Sequence, residues 1–171
     1  KTAYEITYGD WSSDVCSSDL LAAGRREGGT VFESINLPAV LVSWLVSFVS
    51  GFVWFGPKTL YPVWWRLMGK TENDVPGGGT NMGLTFGSVL IGQLISIVTL
   101  ALVMNPLIEL GQVSDALDGA LVGLLLGFGI ASATALGHRM FAGHGAGVWI
   151  IESGNDIINL GIAGAILAAW R

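Results

Sequence analysis

The chain has 171 residues, of which 51% are hydrophobic and 12% are charged, and its formal net charge is −5. Soluble domains carry about 25% charged residues, so this composition excludes an ordinary soluble protein and predicts an integral membrane protein. The net charge indicates little about partners, because much of it comes from the first thirty residues, but the absence of a basic patch argues against a nucleic-acid partner. A soluble helical bundle is the competing interpretation, but its helices would carry a continuous charged face, which these apolar segments lack.

The first thirty residues are set apart from the rest of the chain. Residues 10–20 resemble the translation of a common sequencing adapter, and the single cysteine, Cys16, lies in that stretch. We therefore interpret residues 1–30 as an artefact or a disordered tail and residues 31–171 as a membrane domain, with Val31 as the expected natural start. Without Cys16, neither a disulfide nor a thiol nucleophile is expected.

Four apolar stretches are each long enough to cross the hydrocarbon core of a membrane, which takes about 20 residues of helix. They run over residues 37–55, 83–104, 116–137 and 148–170. The sequence therefore predicts an all-α protein, a four-helix bundle integral to a lipid bilayer.

Local signals predict where these helices begin and end. Asn36 is a candidate N-cap, and Pro38 would occupy the first turn, where its missing N–H is tolerated. The pair Asn105–Pro106 is predicted to end the second span. Asp115 and Asp118 are predicted to cap the third helix and to complement its dipole.

The connection between the first two spans mixes aromatic and basic side chains, which suits the lipid headgroup region. It predicts a short interfacial helix within residues 58–69, with Trp54, Trp64 and Trp65 as interfacial anchors. Lysine and arginine occur in the first and third connections but not in the second. By the positive-inside rule, these two connections face the cytoplasm, and both termini lie on the outer side of the inner (plasma) membrane.

Small residues recur every four positions in the third span, at Gly119, Gly123 and Gly127, and Gly161 belongs to a similar series in the fourth. Such faces let helix backbones approach closely in lipid. They predict one compact bundle and would also suit a homo-oligomer, because the pattern does not distinguish contacts within a chain from contacts between chains. A glycine face lining a pore is the functional alternative.

The last span carries a polar stripe formed by Glu152, Asn155, Asp156 and Asn159. Residues 152, 156 and 159 fall within about a third of the helix circumference, with Asn155 at the edge of that sector. Ionisable groups at this depth are costly and often mark ion or proton pathways. A carboxylate there is expected to face the bundle, to pair with a partner or to be protonated.

Three interpretations of the stripe remain open. Its side chains could lock helix packing through hydrogen bonds to Ser47, Gln93 or Ser96, each worth about 1 kcal/mol. They could instead conduct protons or a cation, or recognise a substrate. The orientation of Asp156 discriminates between them, because transport requires water access and a structural role requires hydrogen-bonding neighbours.

No chemistry beyond the stripe is predicted. His138, His144 and Glu152 match no known metal-ligand spacing, so no metal or cofactor is expected. No nucleophile lies beside a base, so an enzyme is not expected. The sequence favours a small proton- or cation-linked transporter or channel-like protein, with a structural or partner-binding membrane subunit as the alternative.

Two runs of residues resemble the ends of a bacterial membrane family, domain of unknown function 1761. The residues that carry the resemblance are 51–57, Trp65, Gly69 and 164–170. The resemblance covers residues 36–171 and implies a four-span inner-membrane protein with no assigned activity and no catalytic residues to transfer. It leads us to expect an aromatic residue or histidine where this chain has Asp156.

Overall fold

The computed structural model describes residues 35–76 and 81–170. Within them the chain forms five helices and no strand: α1 Leu37–Trp54, α2 Tyr61–Leu67, α3 Met82–Glu109, α4 Ala116–Phe141 and α5 Gly145–Ala169. Four of them, α1, α3, α4 and α5, are long and apolar enough to cross a membrane. The predicted all-α membrane bundle is confirmed. The predictions for residues 1–30, including the start at Val31, lie outside the described residues.

The predicted helix starts are present where local chemistry required them. The side-chain oxygen of Asn36 accepts a hydrogen bond from the backbone N–H of Ala39 at 3.1 Å, and Pro38 lies in the first turn of α1. Asp115 caps α4 by accepting two backbone N–H groups of its first turn at 2.8 and 3.0 Å. Each cap satisfies donors that would otherwise lack a partner inside the helix.

The predicted end of the second span was wrong. α3 continues through Asn105 and Pro106 to Glu109, for a total of 28 residues. A proline inside a helix removes one backbone hydrogen bond, but here it falls in the last turn, and its own carbonyl still accepts the N–H of Leu110 at 3.0 Å. A proline in this position therefore did not stop the helix.

The third span also differs from its prediction, because it extends to Phe141 and contains a π-helical segment, Gly127–Ser132. A π turn is wider than an α turn and is found frequently at functional sites. This segment begins at a close approach of two helices, since a Cβ added at Gly127 would lie only 2.8 Å from the Cα of Ile157 in α5.

α5 is the central helix of the bundle and contacts each of the other four. It is antiparallel to α1, and two hydrogen bonds at opposite ends fix that register. The side-chain nitrogen of Asn36 donates to the carbonyl of Trp170 at 2.9 Å, and the indole of Trp54 donates to the carbonyl of Ile151 at 3.0 Å.

The predicted glycine series lies in the contact between α4 and α5. A Cβ at Gly119 would overlap the carbonyl of Gly164, and one at Gly123 would overlap the carbonyl of Leu160. Gly161 faces the other way across the same contact, where its Cβ would come within 2.8 Å of the Leu124 side chain. Only residues without a side chain allow this separation, so the face is used within the chain.

One end of the bundle holds a closely packed apolar core, named here the apolar core. Its buried members are Ala39 and Val40 of α1, Ile97, Leu100, Ala101 and Met104 of α3, Val113, and Ala163, Leu167 and Ala168 of α5. The buried residues of α3 all lie between Ile97 and Met104. The first half of α3 therefore buries no residue, and it leaves the other half of α5 less covered.

Candidate functional site

Polar residues of α1 and α5 face one another next to the apolar core. Gly51 lies beside Asn155, since a Cβ added at Gly51 would stand 3.8 Å from the Asn155 Oδ1 atom. Because the helices are antiparallel, one turn along each brings Ser47 level with Asn159. Ser43 lies one turn further along α1. We call Ser43, Ser47, Asn155, Asp156 and Asn159 the polar row.

Most of the polar row is buried without hydrogen bonds. Ser43, Ser47 and Asn159 are at most 1% exposed. Within residues 35–76 and 81–170, their side-chain polar atoms have no hydrogen-bond partner, and neither has the Oδ1 atom of Asn155. A buried polar group left unsatisfied costs about 1–3 kcal/mol. The structure thus brings Ser47 and Asn159 to the same level but does not pair them.

Asp156 lies on an interior face of α5 and is nevertheless exposed. It precedes Ala163 by seven residues and Leu167 by eleven, so all three side chains project within about 20° of one another. Ala163 and Leu167 are buried in the apolar core, whereas Asp156 is exposed. As the twelfth of the 25 residues of α5, Asp156 lies near the middle of the span.

Glu152 closes one end of the polar row. Its Oε1 atom accepts the indole N–H of Trp64 at 2.9 Å, and its Oε2 atom forms an ion pair with the Nε of Arg139. The Glu152 side chain is 17% exposed. These three residues, named here the Glu152 clamp, join α2, α4 and α5 and neutralise one of the two carboxylates of the predicted stripe.

The arrangement just described falls within a stretch that matches a known family. Residues 38–168 match the model of the family described as Protein of unknown function (DUF1761). The chain belongs to the DUF1761 family. No curated protein and no solved structure matches it. Both the polar row and the apolar core lie inside the matched DUF1761 residues.

The other predicted partners of the stripe in this DUF1761 protein lie on α3. Ser96 is exposed, and its hydroxyl donates to the carbonyl of Gly92 in its own helix at 3.1 Å. Gln93 is half-buried, four residues before the buried Ile97, and so belongs to the face of α3 that turns towards the bundle. The structure therefore groups Ser47 with the polar row and leaves Ser96 outside it.

Tryptophans tie the helices together near the Glu152 clamp. Besides Trp54, whose indole bonds to α5, the indole of Trp149 donates to the carbonyl of Ser132 at 2.8 Å. Ser132 belongs to the π segment, and its buried hydroxyl, like that of Ser153 in α5, has no partner in the described part of the chain. Sequence reasoning missed both serines, because neither belongs to the periodic stripe.

The connection after α2 is held by its own contacts. The indole of Trp65 donates to the carbonyl of Thr71 at 2.8 Å. The backbone N–H of Thr71 and then its hydroxyl donate to Asp74, and these bonds, with the charge of Lys70, hold the pKa of the exposed Asp74 carboxyl below its usual value. These contacts fold the connection back onto the end of α2.

The histidines are not part of a metal cluster. Across the described ranges, no group of three or more His, Cys, Asp or Glu side chains is arranged to hold a metal ion. His138 is exposed, and His144 is half-buried at the start of α5. The groups with chemical capacity near the middle of the span are therefore the carboxylate of Asp156 and the neutral oxygens of the polar row.

Proposed function

We propose that this DUF1761 protein is a small membrane transporter that moves protons or a small cation by way of the polar row. The observation that carries the proposal is the position of Asp156, an exposed carboxyl near the middle of a spanning helix, next to buried polar atoms without partners. Ionisable groups at such depth usually face a bundle interior or a water-filled cavity and mark ion or proton pathways.

The structural alternative requires hydrogen bonds across helices. If the stripe only locked helix packing, Asn155 and Asn159 would bond to facing side chains such as Ser47. Among the described residues, the Oδ1 atom of Asn155 and both polar side-chain atoms of Asn159 have no partner. Unsatisfied buried groups destabilise a fold, and a transported ion or water would satisfy them, which supports transport over packing.

The apolar core supports a carrier rather than an open channel. Beyond Ser43, the face shared by α1, α3 and α5 is filled by apolar side chains such as Ile97, Leu100 and Met104, each at most 2% exposed. A pathway through the polar row would end at this barrier. Transport would therefore require α3 to move relative to α5 and open the core.

The setting of this proposal follows from the sequence. We propose that the protein resides in the inner membrane with both termini on the outer side, so that the Glu152 clamp lies at the cytoplasmic end. The transporter is proposed to act without catalysis, cofactor, metal cluster or nucleic acid. A homo-oligomer would widen the pathway, but its contacts would need surfaces other than the glycine face between α4 and α5.

Proton flux in liposomes tests the proposal. The full chain and its Asp156→Asn and Glu152→Gln variants would be reconstituted, with Ser96→Ala as a control, because Ser96 is exposed and bonded to its own helix. We expect the wild type and Ser96→Ala to pass protons or, when a gradient of an alkali cation is imposed, that cation. We expect Asp156→Asn to pass neither ion. A folded wild-type protein that passes neither ion would contradict the proposal.

A partner-binding membrane subunit is the second candidate. The Glu152 clamp favours it, because Trp64, Arg139 and Glu152 hold three helices together at one end, as expected of a structural element. In that case Glu152→Gln would lower the free energy of unfolding. Liposomes with Asp156→Asn or Glu152→Gln would show the same ion flux as liposomes with the wild type.

A further inference from the structure

We infer that the polar row is a binding site for a monovalent alkali cation, for which Na⁺ is the probe. The inference deepens the proposed function and rests on it, because it names the class of ion that the row would carry. Three sets of observations support it: the charge of the site, the kind of oxygen atoms in it and the space beside them.

The charge of the site matches one positive charge. α1 contains no Asp, Glu, Lys or Arg, and α5 contains only Glu152 and Asp156. On the spanning segments that pack against α5, the charged residues are Glu109 at the end of α3 and Asp118, His138 and Arg139 near the ends of α4. Glu152 is neutralised by Arg139, which leaves Asp156 as a single negative charge near the middle of the span.

A divalent ion fits this charge less well. Ca²⁺ takes about six to eight oxygen ligands, and Mg²⁺ requires near-octahedral geometry and usually keeps several waters. Sites for these ions draw on carboxylates, but here the second carboxylate of the stripe is held by Trp64 and Arg139. One carboxylate with several neutral oxygens produces a weaker electric field than two carboxylates do. Such a field suits a monovalent cation.

The remaining oxygens distinguish a cation from a proton. The hydroxyl of Ser47 and the amide oxygens of Asn155 and Asn159 are buried and have no partner in the described residues. Protonation of Asp156 would remove its charge and leave those oxygens unsatisfied. A bound cation would engage them together, since protein oxygens can replace the hydration shell of an alkali ion.

The backbone at Gly51 leaves space beside the row. Apart from the chain neighbours of Gly51 and the nearby backbone of α1, the Asn155 Oδ1 is the single described atom within 4 Å of a Cβ built at Gly51, at 3.8 Å. Alanine would therefore fit at this position, whereas a valine side chain would extend into the space in front of that oxygen. The pair Gly51→Ala and Gly51→Val thus offers a steric test that leaves every polar group of the row in place.

Binding of radioactive sodium to the full-length protein in lipid nanodiscs tests the inference. We expect saturable binding in the wild type, in the control Ser96→Ala and in Gly51→Ala. We expect at least a roughly tenfold weaker affinity, about 1.4 kcal/mol, in Asp156→Asn, Asn159→Leu and Gly51→Val. Excess unlabelled Na⁺ should displace the label, and Ca²⁺ should not.

Thermal unfolding of the same samples separates a ligand role from a structural one. Asn159→Leu removes buried unsatisfied groups, so without Na⁺ it should unfold at the same or a higher temperature than the wild type. Added Na⁺ should raise the unfolding temperature of the wild type but not that of Asn159→Leu. If Asn159→Leu instead unfolds early and the folded wild type binds no sodium, the inference is overturned.

The two failures are distinguishable. Proton flux that depends on Asp156 without sodium binding would overturn the sodium site and leave the proposed transporter standing. Sodium binding that depends on Asn159 without flux of either ion would uphold the site and contradict transport. Sodium binding unchanged in Asp156→Asn and Asn159→Leu would place the ion elsewhere and overturn the inference.

Discussion

From Ala163 to Ala168, α5 packs against its neighbours through small and apolar side chains, whereas from Glu152 to Asn159 the same helix presents five polar residues. Both stretches face α1 at the same four-residue spacing. The two stretches differ in how α3 covers them, since the buried residues of α3 cover α5 only at the apolar end. One half of α5 therefore stabilises the bundle by close packing, and the other half carries the ionisable and hydrogen-bonding side chains.

The largest expected effect is at the apolar end of the α4–α5 contact. Gly119→Leu would force a side chain into the backbone of Gly164 and the Cβ of Ala168, so we expect loss of the folded protein, more than about 4 kcal/mol. Gly92→Leu is the matched control, because nothing lies within 4 Å of a Cβ there. Yield of monodisperse protein and resistance to denaturant are the measurements, and equal behaviour of the two variants would refute the close contact.

Two substitutions with smaller expected effects compare the apolar core with the polar row directly. Leu100→Ala should destabilise the bundle by about 2–4 kcal/mol, as truncation in a packed core does, because Leu100 is 2% exposed. Ser47→Ala in the polar row should change stability by less than about 1 kcal/mol, since no hydrogen bond is lost. Equilibrium unfolding in mixed micelles measures both, and a larger cost for Ser47→Ala would show that the row is structural.

At the Glu152 clamp we expect a smaller loss of stability than Leu100→Ala causes. Trp64→Phe keeps the ring but removes the hydrogen bond to the Glu152 carboxylate, at a cost of about 1.5 kcal/mol. Hydrogen exchange should become faster in α2 and remain unchanged in the apolar core. Trp65→Phe is the matched control, because its indole bonds to the neighbouring connection. Unchanged exchange in α2 after Trp64→Phe would mean that the clamp does not hold this helix.

Sequence reasoning succeeded where the determining forces are local. The four spans follow from apolar length, and the caps at Asn36 and Asp115 follow from side chains that reach backbone groups within three residues. It failed at Pro106, because a proline in the last turn removes one bond without ending the helix. It also failed at Gly127–Ser132, since six residues of π-helix barely disturb an apolar pattern.

The site was harder to predict, because it depends on contacts between distant residues. The stripe on α5 was visible from spacing, but Trp64 lies 88 residues from Glu152, and no pattern in the chain connects them. The exposure of Asp156 depends on where α3 stops covering α5, which spacing within α5 does not encode. Ser47 was identified because serines at intervals of four lie on one helix face.

The central claim is that Asp156 faces an aqueous opening, and thiol accessibility tests it most directly. Asp156→Cys and Ile158→Cys would be compared in a Cys16→Ser background. Both positions are exposed in the chain, and Ile158 is 40% exposed. They lie about 3 Å apart in depth and about 160° apart around the helix. The reagent would be a membrane-impermeant cationic thiol reagent.

We expect Asp156→Cys to react and Ile158→Cys to remain unmodified, because the first should face water between helices and the second should face lipid. If both cysteines stay unmodified in folded protein, or both react at the same rate, position 156 does not face a selective aqueous opening. The polar row would then have no route to water, and the account of this protein as a transporter would be contradicted.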